Sequence, residues 1–133
     1  NISKSQKGVL RGLHFQSPPY AQDKLIQVIQ GAVLDVVVDI RTKSKTYGQH
    51  FSIELNAENK LQLLVPKGFA HGFLTLEDDT IFSYKCSNEY NKESEGSVLW
   101  NDKDLSIDWG MQDPIVSSKD NESKSFHQLE SPF

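Results

Sequence analysis

Gly8-Val9-Leu10-Arg11-Gly12-Leu13-His14-Phe15-Gln16 has a counterpart further along the chain in Pro66-Lys67-Gly68-Phe69-Ala70-His71-Gly72-Phe73. Each run sets one histidine among glycines and strand-forming apolar residues. Together they imply two imidazoles facing one another inside a single β-barrel. His14 stands three residues after Arg11. Strict alternation sends those two side chains to opposite faces of a strand unless Gly12 introduces a bulge, and glycine within a strand often marks such a distortion. His71 follows the turn residues Pro66 to Gly68 and opens a new strand, at a barrel mouth or wall.

Outward from these runs, the segments Gly8 to Gln16, Lys24 to Gln30, Ala32 to Arg41, Gln49 to Leu55, Leu61 to Val65, His71 to Leu76 and Thr80 to Ser87 are short and β-rich. Turn residues separate them at Pro18-Pro19, Gly31, Gly48, Asn56 to Asn59, Pro66 to Gly68 and Glu77 to Asp79. That rhythm predicts an all-β sandwich or barrel. Val33, Val37 and the residues between them lack alternation, as in a strand buried on both faces. Phe51, Ile53 and Leu55 alternate with polar residues, as in a half-exposed one. Helix is nearly absent from the pattern. The 133 residues are expected to form one domain, with a polar tail from about 117 that makes a short turn or helix and then runs loose.

The net charge is −4, and the 14 lysines and arginines are scattered rather than clustered, which argues against nucleic acid as a partner. A small, anionic ligand remains open. Cys86 is the only cysteine and makes no internal disulfide; with no leader in the sequence, a reducing cytoplasm is expected. The longest apolar run, Ala32 to Ile40, is interrupted by Asp35 and Asp39 and is too short to span a bilayer. No membrane association is expected.

The titratable residues permit ordinary and functional readings alike. A strand histidine such as His14 is commonly a satisfied core or surface residue, and His71 reads equally as a turn histidine. Metal-binding β-barrels present His-x-His with further converging ligands, but the residue two after His14 is Gln16, and His71 has no partner at that spacing. No metal is expected, with His50 and His127 placed to help only by accident of folding. Tyr84 and Tyr90 flank Cys86 at even separations, so both face inward if the strand continues that far. Lys24 at a strand start reads as a solvated lysine, and Asp120 as a turn or N-cap residue.

The two histidine runs, together with Val37-Val38-Asp39-Ile40-Arg41, Tyr84-Lys85, Glu95-Gly96, Trp100-Asn101-Asp102 and Ser118-Lys119-Asp120, closely resemble the dTDP-4-dehydrorhamnose 3,5-epimerase (RmlC) family. The resemblance covers almost the whole chain and keeps the order and spacing of the motifs. It implies a cupin-type (RmlC-like) β-barrel or jelly roll, a homodimer, no metal or other cofactor, and action on a dTDP-4-keto-6-deoxyhexose in deoxysugar biosynthesis. Carried over by position, it makes His14 the base, Asp120 its orienting carboxylate, Tyr84 the proton donor and Lys24 the family lysine. His71 becomes a second pocket histidine, and Arg11, Glu95, Lys119, Tyr90 and Asn1 become nucleotide or sugar contacts.

These residue types suit enolate chemistry. Hydrogens at C3 and C5 are acidic because both carbons adjoin the C4 ketone, a carboxylate-held imidazole removes them, and a phenol on the other face returns a proton. Members of the family normally carry a further N-terminal segment, with an arginine and a glutamate for the nucleotide, ahead of the residues matching Asn1. A shortened, non-catalytic sugar-nucleotide-binding or assembly subunit is therefore the alternative expectation. A cupin ketoisomerase is a third, disfavoured by the histidine motifs.

Overall fold

In the computed structural model, which describes every residue from Asn1 to Phe133, ten strands form two sheets. They are β1 (Ile2–Ser5), β2 (Val9–Gln16), β3 (Lys24–Gln30), β4 (Ala32–Asp39), β5 (His50–Asn56), β6 (Gln62–Val65), β7 (Phe69–Thr75), β8 (Thr80–Cys86), β9 (Glu95–Ser97) and β10 (Ile115–Val116). The smaller sheet runs β1-β8-β3-β6. The larger runs β10-β2-β7-β4-β5, with β9 also on β2. All pairings are antiparallel except β10 with β2.

The seven expected strands are present with ends within two residues of the expected bounds. β4 shows why its sequence lacks alternation. Val33 and Val37 point between the sheets, where Ile26, Val28, Val65 and Phe82 of the smaller sheet meet Leu55 and Phe73 of the larger. Val36 and Val38 point the other way, into a second core with Leu10, Leu13, Phe15, Ala70 and Leu74. Each face buries its own aliphatic row, so the hydrophobic stabilisation comes from both. β5, at the sheet edge, alternates near its C-terminal end, where Ile53 is half-buried, Glu54 exposed and Leu55 fully buried, while Phe51 on the same face is 53% exposed.

Val98, Leu105 and Trp109 cover that second core, with Phe126, Leu129 and Phe133 packed against it. The stretch after residue 117 is therefore docked rather than loose, which corrects the expectation from its polarity. Ser117 caps the one α-helix, α1 (Ser118–Asn121), and the Phe126 amide donates to Asp102 Oδ2 at 2.7 Å. The Thr42 amide donates to the Phe133 carbonyl at 3.0 Å. A few widely spaced aromatic residues suffice to anchor a segment whose mean composition is polar. No helix is long and apolar enough to cross a membrane.

Candidate active site

β2 and β7 fall out of simple register between Arg11 and His14. Arg11 lies opposite Phe73 and His14 opposite His71, so β2 spends three steps where β7 spends two. The extra residue is a bulge, and it flips the alternation. Leu10, Leu13 and Phe15 consequently all enter the second core, while Arg11 and His14 both line one cavity on the opposite face. Gly12 makes this possible. Its φ is +126°, and a Cβ there would stand 2.5 Å from Gly72 Cα and 2.8 Å from the His71 carbonyl oxygen. The glycines beside the two histidines thus touch each other, and the close backbone approach sets the imidazoles on neighbouring strands.

Across the cavity, the smaller sheet supplies Lys24 from β3 and Tyr84 from β8. The space enclosed with Arg11, His14 and His71 is about 180 Å³. Phe73 and Phe82 stack at 4.5 Å among its walls. It adjoins a larger chamber of about 410 Å³, also lined by His14, Lys24 and Tyr84, to which Asn1, Tyr90 and Glu95 contribute. A groove on the other side of Arg11 and His14 carries Lys119 and Asp120. His14 borders all three spaces.

His14 Nε2 lies 2.6 Å from Asp120 Oδ1, and Asp120 Oδ2 accepts the Gly12 amide at 3.2 Å. Asp120 is buried, and α1 presents it from a sequence distance of 106 residues. The cap is Ser117, whose Oγ accepts the Asp120 amide at 3.1 Å, so Asp120 is a residue of the helix rather than the turn or N-cap residue expected locally. Trp100 Nε1 ties the helix down through Asn121 Oδ1 at 2.9 Å. A carboxylate only accepts, so in the neutral imidazole Nε2 carries the hydrogen and Nδ1 keeps its lone pair. That is the form of imidazole able to take a proton from a ligand.

Lys24 Nζ makes no hydrogen bond within the protein. Burial pushes its ammonium pKa down, while Cys86, Asp35 and Glu95 act in the opposite direction. Lys119 Nζ pairs with Glu95 Oε2 at 2.7 Å, and this bond raises the lysine pKa. For Glu95, burial favours the neutral acid, but Lys119 and the Tyr90 hydroxyl outweigh it and hold the carboxyl below its ordinary value. Tyr90 OH donates to Glu95 Oε2 at 3.2 Å.

All ten residues singled out in the sequence therefore border these three neighbouring spaces, which share His14. Tyr90 reaches them by a different route from the one expected. β8 ends at Cys86, and Tyr90 sits in the following loop, 66% exposed. Gln16 Nε2 donates to the Glu89 carbonyl, and its Oε1 accepts the Asn91 amide, so this glutamine holds the loop on both sides of Tyr90. Gln16 was not singled out for this, nor was Asp35, whose carboxylate meets His71. No three His, Cys, Asp or Glu side chains converge as metal ligands do.

A family profile described as dTDP-4-dehydrorhamnose 3,5-epimerase matches residues 1–128. The chain belongs to that family. The enzyme of this name from Shigella flexneri is 52% identical over 126 residues, covering 95% of this chain and 70% of the relative. The crystal structure of the Elizabethkingia anophelis enzyme superposes with a TM-score of 0.96 at 55% identity, covering 98% of this chain and 73% of that one. A Legionella pneumophila RmlC solved in complex with dTDP-4-keto-L-rhamnose gives 0.93 at 47% identity, over 98% and 69%. The chain thus spans roughly two thirds to three quarters of these relatives' lengths. The barrel is the cupin-type jelly roll of these epimerases.

Proposed function

We propose that residues 1–133 act as one epimerase unit that inverts C3 and C5 of a dTDP-4-keto-6-deoxyhexose through enolates. The observation that carries this reading is His14 on one sheet, held by Asp120 of α1, with Tyr84 on the other sheet across a cavity of sugar-ring scale. The Legionella relative's bound keto-sugar nucleotide supports the substrate class.

In this reading His14 Nδ1 takes the hydrogen from the carbon beside the ketone, and the C–H electron pair moves through the new C=C bond onto the C4 oxygen. The Lys24 ammonium, unpartnered and partly buried, stabilises that oxygen, where a preorganised charge is most effective. Tyr84 then delivers its phenolic proton to the opposite face of the carbon, the enolate collapses to the ketone, and the centre is inverted. Asp120 fixes the His14 tautomer throughout. Arg11 makes no ion pair in the protein and is free to take a diphosphate oxygen, with Lys119 beside it across the groove. The exposed Tyr90 ring, with Glu95 and Asn1, suits the nucleoside end, and His71 contacts the sugar.

Incubation with dTDP-4-keto-6-deoxyglucose in heavy water, followed by mass and proton spectra, tests the scheme. Deuterium at C3 and C5 is expected with the native protein and not with His14→Ala. Uptake at one carbon would reduce the activity to a single inversion, and a carbonyl moved to C3 would establish a ketoisomerase. Bound ligand with no exchange would establish the non-catalytic reading.

A homodimer completes the proposal. β3 and β6 turn the paired Leu25 and Leu64 away from the barrel interior, and Leu64, Ile2 and Ile29 are 62%, 72% and 51% exposed. Covering such an apolar sheet face with a second copy is the economical closure. A sedimentation mass of one chain would refute it. Cytoplasmic placement accords with the free thiol of Cys86.

A further inference from the structure

Asp35 stands in the middle of β4, between Val33 and Val37, with none of its surface exposed. Its carboxylate has one hydrogen-bonding partner, His71 Nε2, at 2.9 Å from Oδ1 and 3.0 Å from Oδ2. Burying a carboxylate for a single imidazole contact is a poor source of stability, since an apolar residue of similar size would pack with the flanking valines at no desolvation cost. The carboxylate therefore points to a requirement of His71 itself. That ring borders the cavity with Arg11, His14, Lys24 and Tyr84. Its Nδ1 has no partner in the protein and is not among the buried atoms left without one, so it opens onto the cavity.

We propose that Asp35 is a positioning residue: it takes the Nε2 hydrogen of His71, and so presents the Nδ1 lone pair to a hydroxyl of the sugar ring. This inference rests on the epimerase reading for the identity of the ligand. The two neighbouring imidazoles then divide the work. His14, held by Asp120, removes a proton from carbon, and His71, held by Asp35, accepts a hydrogen bond from a hydroxyl and fixes the ring against that base.

Nitrogen-15 spectra of histidine-labelled protein without substrate read the tautomer directly. The native protein is expected to show His71 with its hydrogen on Nε2. In Asp35→Asn, an amide that can donate to Nε2 displaces that hydrogen toward Nδ1, as in other carboxylate–histidine pairs. The same variant is expected to raise KM for the sugar nucleotide about tenfold, the equivalent of one hydrogen bond, while its affinity for dTDP alone stays unchanged. A native His71 protonated on Nδ1 would overturn the proposal whether or not the variant folds, as would an Asp35→Asn protein with native tautomer and native KM. Should the native protein show no epimerase activity, the functional reading alone falls, and the tautomer measurement still decides the role of Asp35.

Discussion

Gly12→Ala tests the link between the strand bulge and the site. Two costs arise together. The backbone at φ +126° is a region that L side chains rarely occupy, and the new methyl would sit 2.5 Å from Gly72 Cα and 2.8 Å from the His71 carbonyl oxygen, both backbone atoms. A sparsely populated backbone conformation costs about 1–3 kcal/mol. Overpacking against atoms that cannot rotate away costs about 1–3 kcal/mol more. The expected loss is the sum, roughly 2–6 kcal/mol, a large part of the roughly 5–15 kcal/mol that holds an ordinary domain together.

Two other glycines separate the terms. Gly110 has φ +70° with nothing within 4 Å of the point where an alanine methyl would stand, so Gly110→Ala incurs backbone strain alone, about 1 kcal/mol. Gly72 has an ordinary φ, but a Cβ would meet the Arg11 carbonyl oxygen at 2.8 Å and Gly12 Cα at 3.2 Å, so Gly72→Ala incurs contact alone. Urea unfolding at pH 7 should rank the losses Gly12→Ala, Gly72→Ala, Gly110→Ala, with unchanged slopes if only stability is altered. Turnover should fall in the first two, which disturb the strands carrying Arg11, His14 and His71, and not in the third. A Gly12→Ala protein as stable as Gly110→Ala, with native activity, would refute the bulge as the device that brings Arg11 and His14 to one face.

Three further outcomes follow from the same geometry. Asp39 is buried and accepts from Arg41, Ser44 and Thr46, which hold its carboxyl far below the ordinary value; the Arg41 hydrogen bond is the largest cause. A carboxyl depressed on folding stabilises above its unfolded value near about 3.9 and loses that contribution as pH falls through the folded one. Asp39→Asn should therefore cost roughly 1.5–3 kcal/mol in urea melts at pH 7, with the gap from native closing in acid. Lys24 must be charged to stabilise an enolate, and burial lowers its pKa, so turnover should fall as pH rises through a value below the ordinary lysine figure of about 10.4. Lys24→Arg should move that alkaline limb upward, and a limb left in place would remove Lys24 from this role. Tyr84→Phe leaves the base intact, so it should still exchange the substrate hydrogen with heavy water while losing inverted product by about 10²-fold or more. Loss of exchange and inversion in equal measure would show that Tyr84 does not act after the enolate forms.

The fold was legible where burial imposes a pattern. β4 reads as doubly buried from valines that do not alternate with polar residues, and β5 as half-exposed from Phe51, Ile53 and Leu55, because each side chain answers to its own face of the sheet. β1, β9 and β10 were not legible. Ile-Ser-Lys-Ser and Glu-Gly-Ser carry little strand preference, and a two-residue Ile-Val is too short for periodicity to register. These strands exist because β8 and β2 offer unpaired edges to them. The docking of residues 117–133 was hidden for a related reason, since it depends on where Phe126, Leu129 and Phe133 arrive rather than on how apolar the segment is on average.

The site divides along the same line. His14 and His71 announce themselves because the glycines beside them are needed where the two strands meet, so a local sequence feature records a tertiary contact. Their carboxylates do not. Asp120 looks like an ordinary turn residue and was placed by resemblance to a family, while Asp35 looks like an interruption in a run of valines. Yet that interruption carries information, because a carboxylate in a strand buried on both faces must find a partner or be selected against. In β4 the partner stands on β7, where Val37 lies opposite His71 and Asp35 two residues further along the same face. A charged residue inside a doubly buried strand is thus a signal for a neighbouring donor even when the sequence cannot say which strand will supply it.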